Sequence, residues 1–327
     1  MAMSGYKTTY LDLVRDTDKC VENVHKRRND PAAKDSYYEL YLPYDDTPHG
    51  YLLEETVARM PWTNRFAVQH EHPRSVTVHD TSGGKDTSKA VNEAFAEVIN
   101  ECVDRKLFHL LDGKHSEPFA ILGANYPAYL ERFAAALFGT MQCGASMVCY
   151  TNTPEGMKLW IPRRAAHLYT GANMLDTTVA GGVKAGAAPL ETLIREADEE
   201  ASLPEDLVRR LVRARGVLTC MQTTGPEFKG EKGLVLPDVN YVYDMELPEG
   251  VTPKPHDEEV KDYYCMSVSE VQAALLNREF KEGPALVVID FLMRHNIITP
   301  ETEPDYVDIS MHLHRRLPFR IAPSKSR

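Results

Sequence analysis

Apolar residues recur every three or four positions in some stretches of the chain and alternate in others, and these two periods divide it into helices and strands. Tyr10, Leu13, Val14 and Val21 fall on one side of an amphipathic helix over residues 7–27. A charged, proline-bearing loop over 27–36 leads into an alternating strand over 37–42 and a helix over 52–60. Short strands are expected at 65–68 and 75–78 around a turn at Pro73, followed by a polar loop over 80–88. The clearest helical period runs over 89–107, where Val91, Phe95, Val98 and Cys102 stand one above the other. A strand at 119–122 and a helix at 130–137 complete this part.

Beyond residue 139 the pattern changes. β-rich runs at 147–151 and 157–161 are separated by Thr153-Pro154-Glu155-Gly156, which reads as a hairpin turn. A Gly-rich turn, an acidic helix and a helix near 207–213 come next. Strands are expected at 216–222, 239–247 and 261–266, then helices at 268–277 and 284–295, then a mostly irregular tail. There is no internal repeat. The change of pattern predicts an α/β protein in two parts, a smaller N-terminal α/β domain over 1–140 and a second domain over 141–327.

Composition narrows the function classes. With 327 residues, 43% of them hydrophobic, the chain can bury a core without disulfides or a structural metal. Acidic residues outnumber basic ones 48 to 37, a net charge of −11, which argues against a broad basic surface for nucleic acid or an anionic membrane. A phosphorylated small molecule remains open, because a bound metal can offset its charge. The six cysteines form no CxxC pair, and none has a neighbourhood that argues for a nucleophile. The first ten residues lack the apolar core of a signal peptide, and no apolar run is long enough to span a bilayer. The expected address is cytoplasmic, with nuclear access left open. No sequence feature bears on oligomeric state.

The chemistry concentrates after residue 180. A strand ending at Val179 turns on Gly181 and Gly182 and enters a helix near Ala188, with Pro189 suited to the first turn. On that helix Glu196, Glu199 and Glu200 stand at i, i+3 and i+4 and can point to one edge. Three carboxylates so close repel one another, and Mg²⁺ would relieve the repulsion while keeping positions for water and substrate phosphate. Arg195 can fix the rotamer of one of them. A solvated acidic helix face is the alternative, and the Glu cluster by itself does not decide.

The order Gly181, Arg195-Glu196, Ala197, Glu199-Glu200 and Leu203 resembles the Nudix box, Gly-x5-Glu-x7-Arg-Glu-U-x-Glu-Glu-x-Gly-U, where U is aliphatic. Two positions depart from it: Ala187 stands where the first Glu is expected, and Ser202 where the late Gly is expected. The lost Glu leaves metal affinity and turnover open; the lost Gly is a matter of packing or capping. Leu159-Trp160-Ile161-Pro162-Arg163-Arg164, Leu175-Asp176, Tyr241-Val242-Tyr243-Asp244, Leu247-Pro248, Val287 to Leu292 and His314 to Phe319 extend the likeness. Together with residues 1–140 they resemble the thiamine-pyrophosphokinase-related Nudix group of fungi and plants, in which the module is in some fungal proteins fused to thiamine pyrophosphokinase. The resemblance implies an α/β/α sandwich with a mixed sheet, and Mg²⁺ or Mn²⁺ held by Glu196, Glu199 and Glu200 beside Gly181. It also implies a diphosphatase that repairs metabolites, cutting oxo and oxy forms of thiamine diphosphate to monophosphates. A nucleoside diphosphate sugar or prenyl diphosphate as substrate, or a non-catalytic binding module, are the alternatives.

Further candidates surround the box. Glu259, in Asp257-Glu258-Glu259 ahead of a strand, is the choice for an extra carboxylate that binds metal or orders water, against an exposed loop charge. Either Glu196 or Glu259 could then be the general base. Arg163 and Arg164 read as a phosphate clamp or as structural ion pairs. Tyr241 and Tyr243, with Trp160, read as stacking platforms or as core. His70 with His72, and His312 with His314, lack a third zinc ligand. Ser82-Gly83-Gly84-Lys85-Asp86 lacks phosphate-loop spacing and reads as a plain loop.

Overall fold

A computed structural model describes residues 7–19, 37–111, 117–168, 170–226 and 228–323. The first helix, α1 (Tyr10–Thr17), is closed at its start by Thr9 and Asp12 in a capping box. Val21 and the rest of the expected helix, together with the 27–36 loop, lie outside the described residues.

Residues 38–138 build a small body around a four-stranded sheet of β1 (Tyr38–Tyr41), β2 (Gly50–Leu52), β3 (Phe66–Gln69) and β4 (Ser75–Val78), in the order β2-β1-β4-β3. The β1 and β4 strands run parallel and the other pairs antiparallel. Short α2 (Glu54–Arg59) and long α3 (Thr87–Asp104) accompany the sheet. Val91, Phe95, Val98 and Cys102 are all fully buried, as their spacing requires. The β5 (Pro118–Ala120) and β6 (Tyr129–Glu131) strands pair, and α4 (Ala134–Phe138) ends on Gly139 in the left-handed conformation. The helix expected over 130–137 is thus half strand, because Leu130 is taken into the β5–β6 pairing.

The larger sheet begins at Gln142. It comprises β7 (Gln142–Thr153), β8 (Gly156–Arg164), β9 (Val179–Gly182), β10 (Arg213–Thr223), β11 (Val235–Glu246) and β12 (Val260–Ser267). The order is β10-β11-β7-β8-β12, with β9 also paired to β7. Only β7 and β11 run parallel, so the sheet is mixed. Alternation along β7 feeds two cores. Ala145, Met147 and Cys149 face α5 (Pro189–Ala201) and α6 (Glu205–Leu211), while Val148 and Tyr150 face the other side. That second side is covered by α1, α7 (Val268–Leu276), α8 (Glu282–Arg294) and α9 (Tyr306–Leu313). The result is an α/β/α sandwich.

Two features cross between the bodies. Although it begins the described chain, α1 packs on α8 and α9 rather than on the small sheet, through Tyr10, Leu11, Leu13 and Val14. Leu317 and Phe319 insert among Tyr51, Met141, Met221 and Val239, and Arg320 pairs with Asp45 of the small body. The tail expected to be irregular carries α9, whose Ile309 and Leu313 are buried one turn apart. Exposed Val307 and Met311 blur its amphipathic pattern.

Candidate active site

Local chemistry fixes the turn between β9 and α5. Residues 183–188 bend back, the Ala187 amide donating to the Lys184 carbonyl at 3.0 Å, and Pro189 opens the helix. Leu193, Ile194, Ala197 and Ala201 are buried against the sheet, which sets the rotation of the helix about its axis. Glu196 and Glu200 are thereby brought to β9. The Glu200 carboxylate accepts from the Ala180 amide at 3.1 Å, and Glu196 lies over the bare Cα of Gly181. Arg195 donates to Glu196 at 2.6 Å and to Glu199 at 3.0 Å. Glu199 remains half exposed, at 49% of its side chain against 16% for Glu196, so the three glutamates are not equivalent.

The end of α5 positions the loop that bears Glu259. Ser202, in place of the expected glycine, adopts φ 53° as the left-handed cap of the helix. Its hydroxyl donates to the Lys254 carbonyl at 3.1 Å, and the Lys254 amide donates to the Ala201 carbonyl at 2.9 Å. His256 Nδ1 meets the Asp198 carbonyl at 2.8 Å, and the Ala165 amide donates to the Glu259 carbonyl at 2.8 Å. Pinned at both ends, the loop brings the charge of Glu259 to bear on Glu196 and Glu200. Behind them the Tyr263 hydroxyl donates to the Thr178 carbonyl at 2.9 Å.

The electrostatics follow from this crowding. Burial pushes the Glu196 carboxyl up to about 7, with Glu199 and Glu259 adding repulsion against the pull of Arg195 and Arg132. Burial also holds Glu200 well above the usual carboxylate range, the Ala180 hydrogen bond opposing it and Glu196, Asp176 and Glu259 adding to it. Three carboxylates thus share a covered site that favours protons or a cation.

The other sequence candidates are engaged elsewhere. Arg164 donates to Asp176 at 2.8 Å and to the Thr170 carbonyl at 3.2 Å, and Arg163 donates to the Asn173 carbonyl at 2.7 Å. Tyr241 and Tyr243 pack from β11 against the core under α5 and α6, and the Trp160 indole donates to Thr151. His70 pairs with the Tyr38 hydroxyl, His312 with Asp18, and His314 with the Val217 carbonyl. In the loop at 80–87, Asp80 accepts from the Ser82 and Gly84 amides and from the Ser82 and Thr87 hydroxyls, so the turn is closed on itself. Arg132 and Lys281, which sequence reasoning passed over, stand near this site. Neither belongs to a motif, so no local signal marks them.

Whether these residues suit Mg²⁺ or Mn²⁺ turns on the chemistry of the donors. Among the described residues no group of three or more His, Cys, Asp and Glu side chains forms a finished metal cage. The donors themselves fit: hard carboxylate oxygens, covered, mutually repelling and adjacent to a backbone without a side chain at Gly181.

A family model described as NUDIX domain matches residues 143–286. The chain is 36% identical over 214 residues to the uncharacterized protein YJR142W of Saccharomyces cerevisiae, covering 63% of this chain and 63% of that one. It is 33% identical over 227 residues to Nudix hydrolase 20, chloroplastic, of Arabidopsis thaliana, covering 68% of this chain and 58% of the relative. Nudix hydrolase 24, chloroplastic, of the same plant is 34% identical over 196 residues, covering 59% and 50%. The match spans less than two thirds of each relative's length. Among solved structures, the NUDIX domain of Shewanella oneidensis NrtR complexed with ADP ribose aligns at TM-score 0.32 and 12% identity over 42% of this chain and 79% of that one. A C. elegans Ap4A hydrolase binary complex aligns at TM-score 0.32 and 14% identity over 46% and 97%. Superpositions this loose carry no argument about ligand. Among the described residues no helix is long and apolar enough to cross a membrane. Residues 143–286 are a Nudix domain, and by that domain the chain belongs to the Nudix family.

Proposed function

We propose that this chain is a divalent-metal-dependent hydrolase of a diphosphate, and that its substrate is an oxo or oxy form of thiamine diphosphate, released as the monophosphate. The observation that carries the reaction class is the gathering of Glu196, Glu200 and Glu259 into a covered, mutually repelling set next to Gly181. The thiamine assignment rests on the sequence resemblance that runs through Leu159 to Arg164, Tyr241 to Asp244 and His314 to Phe319.

Bound Mg²⁺ or Mn²⁺ supplies neutralisation of the charge that develops on the phosphate oxygens. Glu196 and Glu200 hold the ion, with Glu199 at the rim, and Arg195 fixes the Glu196 rotamer. Glu259, or Glu196 itself, takes the proton from the attacking water as its oxygen bonds to phosphorus and the anhydride P–O bond breaks. Arg163, Arg164, Tyr241 and Tyr243 are proposed to support substrate binding. The large apolar fraction of the small body's core suits an organic moiety better than a second nucleotide phosphate would.

The test is a substrate panel with Mg²⁺: oxo-thiamine diphosphate, thiamine diphosphate, ADP-ribose and a prenyl diphosphate. Intact thiamine diphosphate carries a cationic thiazolium and the oxo form does not, and burying an unpaired cation is penalised. The expected result is a kcat/KM for the oxo form at least about tenfold above that for the intact cofactor. Equal rates, or turnover of ADP-ribose alone, would overturn the thiamine assignment and leave the hydrolase standing. Ala187 favours a second reading, a binding module without turnover, since it removes a carboxylate from the loop before α5. No metal-dependent phosphate release from any of the four would select that reading.

A further inference from the structure

Lys281 caps the start of α8, and its side chain forms no hydrogen bond or ion pair with any described residue. Its stem lies against Gly171, where a Cβ would stand 2.9 Å from Lys281 Cδ and 3.3 Å from Arg164 Nε. Gly171 thus lets two cationic side chains share one wall. A second bare position, Gly182, lies against Arg132 of the small body: a Cβ there would stand 3.4 Å from Arg132 Cζ and 2.7 Å from Phe119 Cζ. The Arg132 guanidinium sits over the Phe119 ring and donates to Glu117 at 2.7 Å.

These groups act on one another. Burial lowers the Lys281 pKa, Arg164 and Arg132 push it further down, and Asp176 and Asp238 oppose them. Asp176 is already bound by Arg164, and burial pushes Asp238 up to about 6. Three cations therefore converge where the nearby carboxylates are either committed or readily protonated. Repulsion among them is unfavourable unless an anion fills the space they face. Arg132 also acts on Glu196, which places the cationic group next to the acidic one.

We infer that Lys281 and Arg132, with Arg164 beside them, form an anion seat that takes a phosphate group of the substrate at the junction of the small body and the large sheet. The assignment of that anion to a substrate diphosphate rests on the reading above; the seat itself rests on the cations. A strand edge of bare glycines lets the phosphate approach the backbone between the cations and the glutamates, and the positive end of α8 adds to the attraction. Arg132 comes from the small body, so substrate would bridge the two bodies.

The test is calorimetric titration of inorganic pyrophosphate into the full chain in EDTA, so that binding is read without metal or turnover. Wild type is expected to bind. Lys281→Met is expected to weaken binding by about tenfold or more, while its Tm holds or rises, since it removes an ammonium that has no partner. Arg132→Gln, at a partly exposed residue, is expected to weaken binding similarly without loss of fold. Absence of binding to wild type, or equal binding by all three proteins, overturns the anion seat. Loss of diphosphate hydrolysis as a function leaves this result untouched. Conversely, turnover of a diphosphate whose KM is unchanged by both substitutions overturns the seat and spares the hydrolase.

Discussion

Gly181 and Glu196 are in contact in a way that a side chain at 181 would forbid: a Cβ there would stand 2.5 Å from Glu196 Cγ and 2.6 Å from its Oε1. The strand at this point is extended, so the requirement is for space rather than for an unusual backbone conformation.

Gly181→Ala is therefore expected to displace Glu196 rather than unfold the sheet. An overpacked contact of this kind costs about 1–3 kcal/mol. The expected outcome is a cooperative thermal transition shifted downward together with loss of any stabilisation by Mg²⁺. A variant whose Tm still rises with Mg²⁺ as in wild type would dissociate Gly181 from the carboxylate cluster.

Ser202→Gly tests the cap of α5. A non-glycine residue at φ 53° is strained. Glycine there removes the strain at the expense of one exposed hydrogen bond to Lys254. A gain of about 0.5 kcal/mol in urea denaturation is expected, with activity retained. A clear loss of stability would show that the hydroxyl matters more than the backbone conformation.

Metal binding has its own signature. A ligand that binds the folded chain alone stabilises it by mass action. Tm should rise with Mg²⁺ for wild type and much less for Glu196→Gln or Glu200→Gln. Those variants should also be more stable than wild type without metal, because each removes a charge from a repelling set. An identical Mg²⁺ response in all three proteins would place the ion elsewhere.

The acid limb of stability should trace to Asp244, 1% exposed and held by Arg294 at 2.6 and 3.0 Å, Arg215 at 3.0 Å and His295 at 3.0 Å. Burial raises its pKa, but the bonds from His295 and Arg294 outweigh burial and leave it below the usual aspartate value. A folded pKa below the unfolded one means that the contribution is present above about pH 4 and lost as pH falls through the folded value. Asp244→Asn should cost about 3 kcal/mol or more at pH 7, and its urea midpoint should fall less than that of wild type between pH 7 and pH 3. Parallel pH profiles would contradict this assignment.

What the sequence showed and what it hid divide along physical lines. The α5 helix was legible because Gly181-Gly182, Pro189 and the apolar period of Leu193, Ile194 and Ala197 are all local signals. The mixed sheet followed from alternation along β7 and the Thr153 to Gly156 turn. That Ser202 caps the helix was foreshadowed by its place in the motif. The unequal burial of Glu196 and Glu199 was not readable, since it depends on how α5 is rotated against β9. Nor was α9, whose exposed Val307 and Met311 break the pattern that Ile309 and Leu313 would make. Arg132 and Lys281 meet only through tertiary packing between segments far apart in the chain.

The central claim is that the Glu196–Glu200 cluster drives metal-dependent cleavage of a diphosphate. Phosphate release from oxo-thiamine diphosphate by wild type, Glu199→Gln and Glu200→Gln, with Mg²⁺ and with EDTA, tests it most directly. The account predicts release by wild type that EDTA abolishes, and a kcat lowered by roughly 10²-fold or more in Glu200→Gln at an unchanged fold. Glu199→Gln should lower kcat as well, and by less if its rim position limits its share of the charge. Release by wild type that EDTA does not diminish, or Glu200→Gln turning over at the wild-type rate, would contradict the account.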